Sequence, residues 1–471
     1  MKGRIQTAAH RLLPYLGLVA LAGCQCSTEP LGDSDAPPGA SWTPVSGPVL
    51  AGRIGGRAGL GLSAGDLDGD GMDELLVAEW NDAWACTTDE GCATAWLLTV
   101  PTEGGALDER ASAWFSASSE ALSQGTYDLQ RDMAFPGDLN GDGTHDILLL
   151  ADRWEDEDQA YDPDAQVFLL WSSPFAGEIT REQAVAMIDP MPTVQDHAPC
   201  DVDGDGQVDL CTNGGLLRGP LTGEHYAHQL ECDFSNDYFW YESGVSRFVE
   251  AGAILGDFAQ GLAITHTSQG WEDGPSTALR TIGGEEDPCA RQATQSYPGN
   301  DGENNDAGWL ARDIVVDGDI ASGANDDFLL VGQLEGLRHL AVLTYLRVDP
   351  MDEAPITIIS DYAGGSRDTA LVADFDGDGQ DDLAWASTGG WVSILRGPLA
   401  EGEHRELEAD VMLVGAHEPT CEGSDCSVPD GFGTAMAAGD FDGDGRDDLA
   451  IAAPGDDDTP GKVFIAWGGG L

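Results

Sequence analysis

Five nine-residue segments repeat one pattern of oxygen-bearing side chains, D-x-(D/N)-G-D-G-x-x-(D/E), starting at Asp66, Asp138, Asp201, Asp374 and Asp440. Positions 1, 3, 5 and 9 are Asp66, Asp68, Asp70 and Glu74 in the first segment and Asp138, Asn140, Asp142 and Asp146 in the second. The third has Asp201, Asp203, Asp205 and Asp209, the fourth Asp374, Asp376, Asp378 and Asp382, and the fifth Asp440, Asp442, Asp444 and Asp448. A hard cation such as Ca²⁺ takes roughly six to eight oxygens at flexible geometry. Four side chains and the backbone carbonyl of position 7 come close to that shell. Position 7 is Met72, Thr144, Gln207, Gln380 or Arg446, a spread that fits use of its carbonyl alone. Glycines at positions 4 and 6 permit the tight curl that turns alternate side chains inward. A solvated acidic turn has no reason to keep this spacing five times, so the pattern predicts about five structural Ca²⁺ ions.

The segments are not EF-hands, which need a bidentate Glu at position 12. That position falls here on Val77, Leu149, Thr212, Trp385 and Ile451. Short apolar runs follow instead, such as Leu75-Leu76-Val77 and Leu449-Ala450-Ile451. Runs of that length bounded by Gly and Asp read as buried strands. The expected unit is strand, metal loop, strand.

Two weakened copies start at Asp257, where the loop is cut short, and at Asp319, where Ala321 and Gly323 replace carboxylates. No cation is expected at either. With them the chain has seven anchors, 55 to 72 residues apart. A second echo supports the count. Leu216–Leu221 followed by Gly223-Glu224-His225 matches Ile394–Leu399 followed by Gly402-Glu403-His404, with weaker versions near Leu169-Leu170-Trp171 and Phe464–Gly468. Each lies where a third strand of the unit would run. Units of about sixty residues without a helix suit a four-stranded propeller blade.

With Phe432-Gly433 upstream of Gly439–Gly445, the unit resembles the FG-GAP repeat of integrin α-subunit propellers and their bacterial relatives. The resemblance implies an all-β, seven-bladed β-propeller over residues 48–471, with calcium in hairpin loops at one face. It departs at the Asp257 and Asp319 units, so no ion carries over there.

The chain has 84 Asp+Glu against 21 Lys+Arg, a formal net charge of -63. Such a surface argues against nucleic acid and against adsorption to anionic membrane. Residues 1–23 read as a signal peptide, with Lys2, Arg4 and Arg11 before an apolar stretch too short to span a bilayer. Leu21-Ala22-Gly23-Cys24 resembles the lipobox of bacterial lipoproteins, which implies lipidation of Cys24. Gln25 after the cysteine implies the outer membrane, with the domain periplasmic or surface-exposed. Residues 24–47, rich in Pro, Gly, Ser and Asp, read as a flexible tether. The cysteines fit an oxidising compartment. Local pairs are expected at Cys86 with Cys92, Cys200 with Cys211 and Cys421 with Cys426, leaving Cys232 and Cys289 to each other.

Catalytic spacing does not rise above background. Gly61–Gly65 matches G-x-S-x-G, but Asp66 follows at once, which places Ser63 on a strand instead of a strand-to-helix elbow. The Gly-Glu-His at His225 recurs at His404 and reads as a structural turn, not a metal pair. Tyr238 and Trp240 lie in an aromatic stretch among Asp and Asn, either a buried strand or a contact surface. Residues 283–308 read as a polar surface excursion. The favoured function is a lipid-anchored, monomeric calcium propeller that binds a surface protein or glycan. A calcium-dependent polysaccharide-degrading enzyme and a purely structural envelope component are the alternatives.

Overall fold

The computed structural model describes the chain from Trp42 onward, except residues 54–55, 82–92, 100, 117–132, 153–165, 190–196, 202–204, 213–214, 227–228, 230–245, 253–260, 271–273, 283–290, 298–309, 317–319, 321–327, 335–336, 344–355, 360–368, 388–389, 418–419, 423–424, 428–429 and 456–459. The expectations on Cys24, Cys86, Cys92, Cys232, Cys289, Asp203, Tyr238 and Trp240 fall outside the described residues.

The described chain is all-β apart from one short helix, Leu107–Arg110, and 3-10 turns. It forms seven sheets of three to five strands and one two-stranded ribbon. In chain order, the sheets start at Gly56–Gly65, Met133–Gly137, His197–Cys200, Ser246–Gly252, Leu310–Val316, Thr369–Ala373 and Met436–Gly439. We number them sheets 1 to 7. Each first strand lies beside the first strand of the next sheet, and Met436–Gly439 of sheet 7 returns to Gly56–Gly65 of sheet 1. That closed circle is the arrangement of a β-propeller.

The apolar second strands follow from sheets stacking on both faces. Leu75, Leu76 and Val77 are all fully buried, with Leu75 and Val77 in the layer shared with sheet 7 and Leu76 in the layer shared with sheet 2. A strand covered on both sides has no face left for polar residues. Further layers join sheets 6 and 7 through Phe375, Ile394, Leu449 and Ile451, and sheets 2 and 3 through Leu148, Phe168 and Leu210.

The N-terminal residues close the circle. Val49–Ala51 pairs antiparallel with Lys462–Ala466 and so supplies the outer strand of sheet 7. Trp42–Pro44 pairs parallel with Val411–Val414 at the edge of sheet 6, and Trp42 packs on Trp391 at 5.4 Å between ring centroids. The expected tether over 24–47 therefore ends earlier: its last residues join the fold because a partner strand and a Trp pocket await them. Beyond Ala51, Glu79 accepts from Arg53 N at 2.6 Å and from Trp96 Nε1 at 2.9 Å, which fixes this passage to sheet 1.

Two other expectations change. The Gly-Glu-His motifs are strands, not turns. Gly223–Tyr226 and Gly402–Arg405 each run parallel to the outer strand of the preceding sheet. Gly177–Ile179 and Gly105–Ala106 do the same. Leu216-Leu217, Ile394-Leu395, Leu169-Leu170-Trp171 and Phe464–Ala466 of the echo do belong to third strands, while the Gly-Glu-His segments are straps to the preceding sheet. Within the expected excursion 283–308, Arg291–Tyr297 is the fourth strand of sheet 4.

Candidate metal centres

All five loops join the first and second strands of their sheets, so the strand ends set where each loop begins and closes. Position 2 is apolar and buried in the four loops where it is described, as Leu67, Leu139, Phe375 and Phe441. It anchors the loop to the core, while the position 1 acids are half-buried and Asp68 and Asp442 at position 3 are exposed. Position 9 opens the second strand and is buried in all five: Glu74, Asp146, Asp209, Asp382 and Asp448 are each at most 3 % exposed.

The loop hydrogen bonds are nested and repeat closely. Asp440 Oδ1 accepts from Gly443 N at 2.8 Å and from Asp444 N at 3.0 Å, while its Oδ2 accepts from Gly445 N at 2.8 Å. Asp374 makes the equivalent contacts with Gly377, Asp378 and Gly379 at 2.8–3.0 Å. Asp66, Asp138 and Asp201 likewise accept from Gly71, Gly143 and Gly206. Position 5 accepts the N–H of position 7 in every loop: Met72 to Asp70 at 2.9 Å, Thr144 to Asp142 at 2.9 Å, Gln207 to Asp205 at 2.8 Å, Gln380 to Asp378 at 2.8 Å and Arg446 to Asp444 at 3.0 Å. Each side chain at position 7 is thus free to vary, since its backbone makes the contact. Glycines at positions 4 and 6 take φ between 75° and 88° in the loops described there, a region L side chains rarely adopt.

Among the described residues, three loops bring carboxylate oxygens together within 4.8 Å: Asp66, Asp68 and Asp70; Asp374, Asp376 and Asp382; Asp440, Asp442 and Asp448. Only hard oxygens converge, at three acids per cluster. That donor set fits Ca²⁺ in kind and supplies part of its oxygen shell. Other expected ligands stand slightly apart. Glu74, Asp378 and Asp444 lie outside their loops' clusters, and Asp444 pairs with Arg446 at 3.2 Å. In the second loop, Asn140 Nδ2 donates to Asp142 and Asp146, and Ser172 Oγ donates to Asp146 Oδ1 at 2.6 Å. Of the third loop, Asp201, Asp205, Gln207 and Asp209 are described. Cys200 and Cys211 form a disulfide across its two strands. The backbone of Cys421 lies opposite Cys426 in the two-stranded ribbon.

Burial raises the position 9 acids, and the neighbouring loop carboxylates add to it: Glu74 and Asp448 to about 7, Asp146 and Asp382 to about 6. Hydrogen bonds pull the other way. Asp448 accepts from Gly468 N at 2.7 Å and Phe441 N at 3.1 Å, and Asp382 from Gly397 N at 2.9 Å and Phe375 N at 3.2 Å. A bound dication would favour the charged form of these groups. Asp142 is instead lowered, chiefly by the Thr144 hydroxyl.

Sequence reasoning missed two sets of residues. The glycines after the third strand, Gly219, Gly397 and Gly468, donate to the position 9 carboxylate. At Gly397 a Cβ would lie 2.0 Å from the Asp381 carbonyl, so only glycine fits. Position 8 is the other omission. Asp73, Asp447 and His145 each reach the loop of the preceding sheet. The Asp-Asp and Asp-Glu pairs at positions 8 and 9 were the available signal. Among the motifs set aside, Ser63 lies in Gly56–Gly65 opposite Leu76. His225 and His404 donate through Nε2 to the carbonyls of Thr222 and Ala400.

Residues 432–465 match the family model of the FG-GAP repeat, so the chain carries such a repeat there. A comparison with curated proteins gives no match. Among solved structures, a similar chain is found in the crystal structure of BBS1N in complex with ARL6DN, soaked with lead. Identity is 11 % and the TM-score 0.33, over 71 % of this chain and 91 % of that chain.

Proposed function

We propose, for a chain that carries an FG-GAP repeat, a seven-bladed propeller that holds about five structural Ca²⁺ ions and binds a protein or glycan at the cell envelope. Lipidation of Cys24 would tether it to the outer membrane, periplasmic or surface-exposed. The observation that carries the calcium reading is the convergence of three carboxylates in each of three loops. The holding residues would be the position 1, 3, 5 and 9 side chains and the carbonyl of position 7. When bound, the ion supplies charge neutralisation and a fixed loop shape. The residues themselves set that shape: position 2 anchors the loop in the core and position 1 gathers the N–H groups of positions 4 to 6. Carboxylates so engaged leave little of a cation open to polarise a substrate, which favours binding over turnover. The acidic surface favours a protein or glycan partner over nucleic acid, and we take the chain to be monomeric.

The binding reading is tested by titrating the protein against arrayed glycans and envelope proteins, with calcium and with chelator. Retention that needs calcium, weakened by Tyr238→Ala with Trp240→Ala while the melt in calcium holds, is the expected result. Reproducible cleavage of a polysaccharide, lost on removing a carboxylate outside the five loops, would replace it with an enzyme.

A further inference from the structure

We propose that position 8 residues are positioning residues for the metal loop of the preceding sheet, so that calcium sites along the circle bind as a coupled series. The proposal rests on the calcium reading above. At the junction of sheets 7 and 1, Asp440 N donates to Asp73 Oδ2 at 2.8 Å, and Asp73 N donates to the Asp440 carbonyl at 2.9 Å. Asp440 is position 1 of its own loop. Its side chain gathers three N–H groups while its backbone is held from the next loop by two hydrogen bonds. Residues 73 and 440 are 367 positions apart, so the clasp also lies across the closure of the circle.

The next junction repeats the device. Asp374 N donates to Asp447 Oδ2 at 3.0 Å, and Asp447 N donates to the Asp374 carbonyl at 3.2 Å. In sheet 2, His145 Nδ1 donates to the Asp66 carbonyl. The fit is close: a Cβ on Gly439 would lie 2.8 Å from both Cβ and Oδ2 of Asp73. In sheet 3, position 8 is Val208, whose side chain has no hydrogen-bonding group. Among the described residues, the linked series runs from the Asp374 loop through the Asp440 and Asp66 loops to the Asp138 loop.

The energetic consequence follows from linkage. A cation at the Asp440 loop favours one placement of the Asp440 backbone, and that placement is the one Asp73 binds. Asp73 precedes Glu74 in its own loop, so ordering one loop favours the next, and the coupling is reciprocal.

Calcium titration of the calcium-stripped full chain by calorimetry tests this. The wild type should bind with positive cooperativity. Asp73→Ala should weaken at least one ion by about tenfold, the scale of a lost hydrogen bond to a charged group, and flatten the cooperativity. Asp73→Asn keeps an oxygen that accepts from Asp440 N and should restore the wild-type isotherm, which a purely electrostatic role would not allow. Asp447→Ala should act in the same way at the Asp374 loop, and carries the test if Asp73→Ala does not fold. Asp108→Ala, which removes an exposed carboxylate elsewhere, should change nothing. Independent ions in the wild type, isotherms unchanged in both alanine variants, or an Asp73→Asn as weak as Asp73→Ala would overturn the coupling and leave the calcium reading standing. A wild type that binds no calcium would overturn both.

Discussion

Asp448 and Asp382 sit where buried strand meets candidate metal loop. Burial raises them to about 7 and about 6 from the ordinary carboxylate value. An acid whose folded pKa is raised stabilises the fold below its unfolded pKa and loses that contribution as pH rises through the folded value. The calcium-free chain should therefore lose this contribution between about pH 4 and pH 7. On the proposed reading, calcium would bind the ionised acids, so its own contribution would grow over the same window. Melts with calcium and with chelator should diverge as pH rises from about 4 to about 7. A gap that stays constant would show that these acids do not ligate. Asp448→Asn, which cannot ionise, should narrow the gap and remove most of its pH dependence.

At the scale of elements, among the described residues, sheets 7 and 1 and sheets 1 and 2 are bound by a face-to-face apolar layer, a clasp between loops, and a strap that adds a parallel strand to the preceding edge. Leu221 N donates to the Leu139 carbonyl at 2.9 Å and Leu399 N to the Ile320 carbonyl at 2.6 Å, just ahead of the straps at Gly223 and Gly402. The outer strand of sheet 7 comes from the N-terminal side, and Leu50, fully buried, is its core residue. Leu50→Ala should destabilise the fold by about 2–5 kcal/mol, as large-to-small changes in a packed core do. Denaturant unfolding in calcium is the check; a loss well below 1 kcal/mol would mean that closure does not depend on this strand. The loops, their second strands and the repeat were legible because metal spacing and short apolar runs are local signals. The straps were only half legible: the echo was visible at Arg218–His225 and Arg396–His404, but nothing local says that its second half pairs with another sheet. Trp42–Pro44 was hidden for the same reason, since its composition reads as linker and its partner lies near residue 412. Position 8 was passed over because its contacts cross between repeats and leave no periodicity within one.

At the scale of the whole molecule, seven sheets close a circle in which the last meets the first through both a core layer and the Asp73–Asp440 clasp. The same loops concentrate negative charge: Asp66, Asp68, Asp70 and Glu74 all fall within nine residues. Without a cation these acids repel one another, and burial at position 9 adds to the cost of keeping them charged. A bound ion stabilises by RT ln(1 + [L]/Kd), about 2.7 kcal/mol for each independent site at a hundred times Kd. Five such sites would make the folded chain strongly dependent on calcium. The direct test is metal content after equilibrium dialysis against calcium, read by mass spectrometry alongside a thermal melt with and without chelator. The account predicts about five calcium ions per chain, a melting temperature that falls clearly in chelator, and one ion fewer in Asp378→Ala. A chain that retains no calcium and melts at the same temperature in chelator would contradict it.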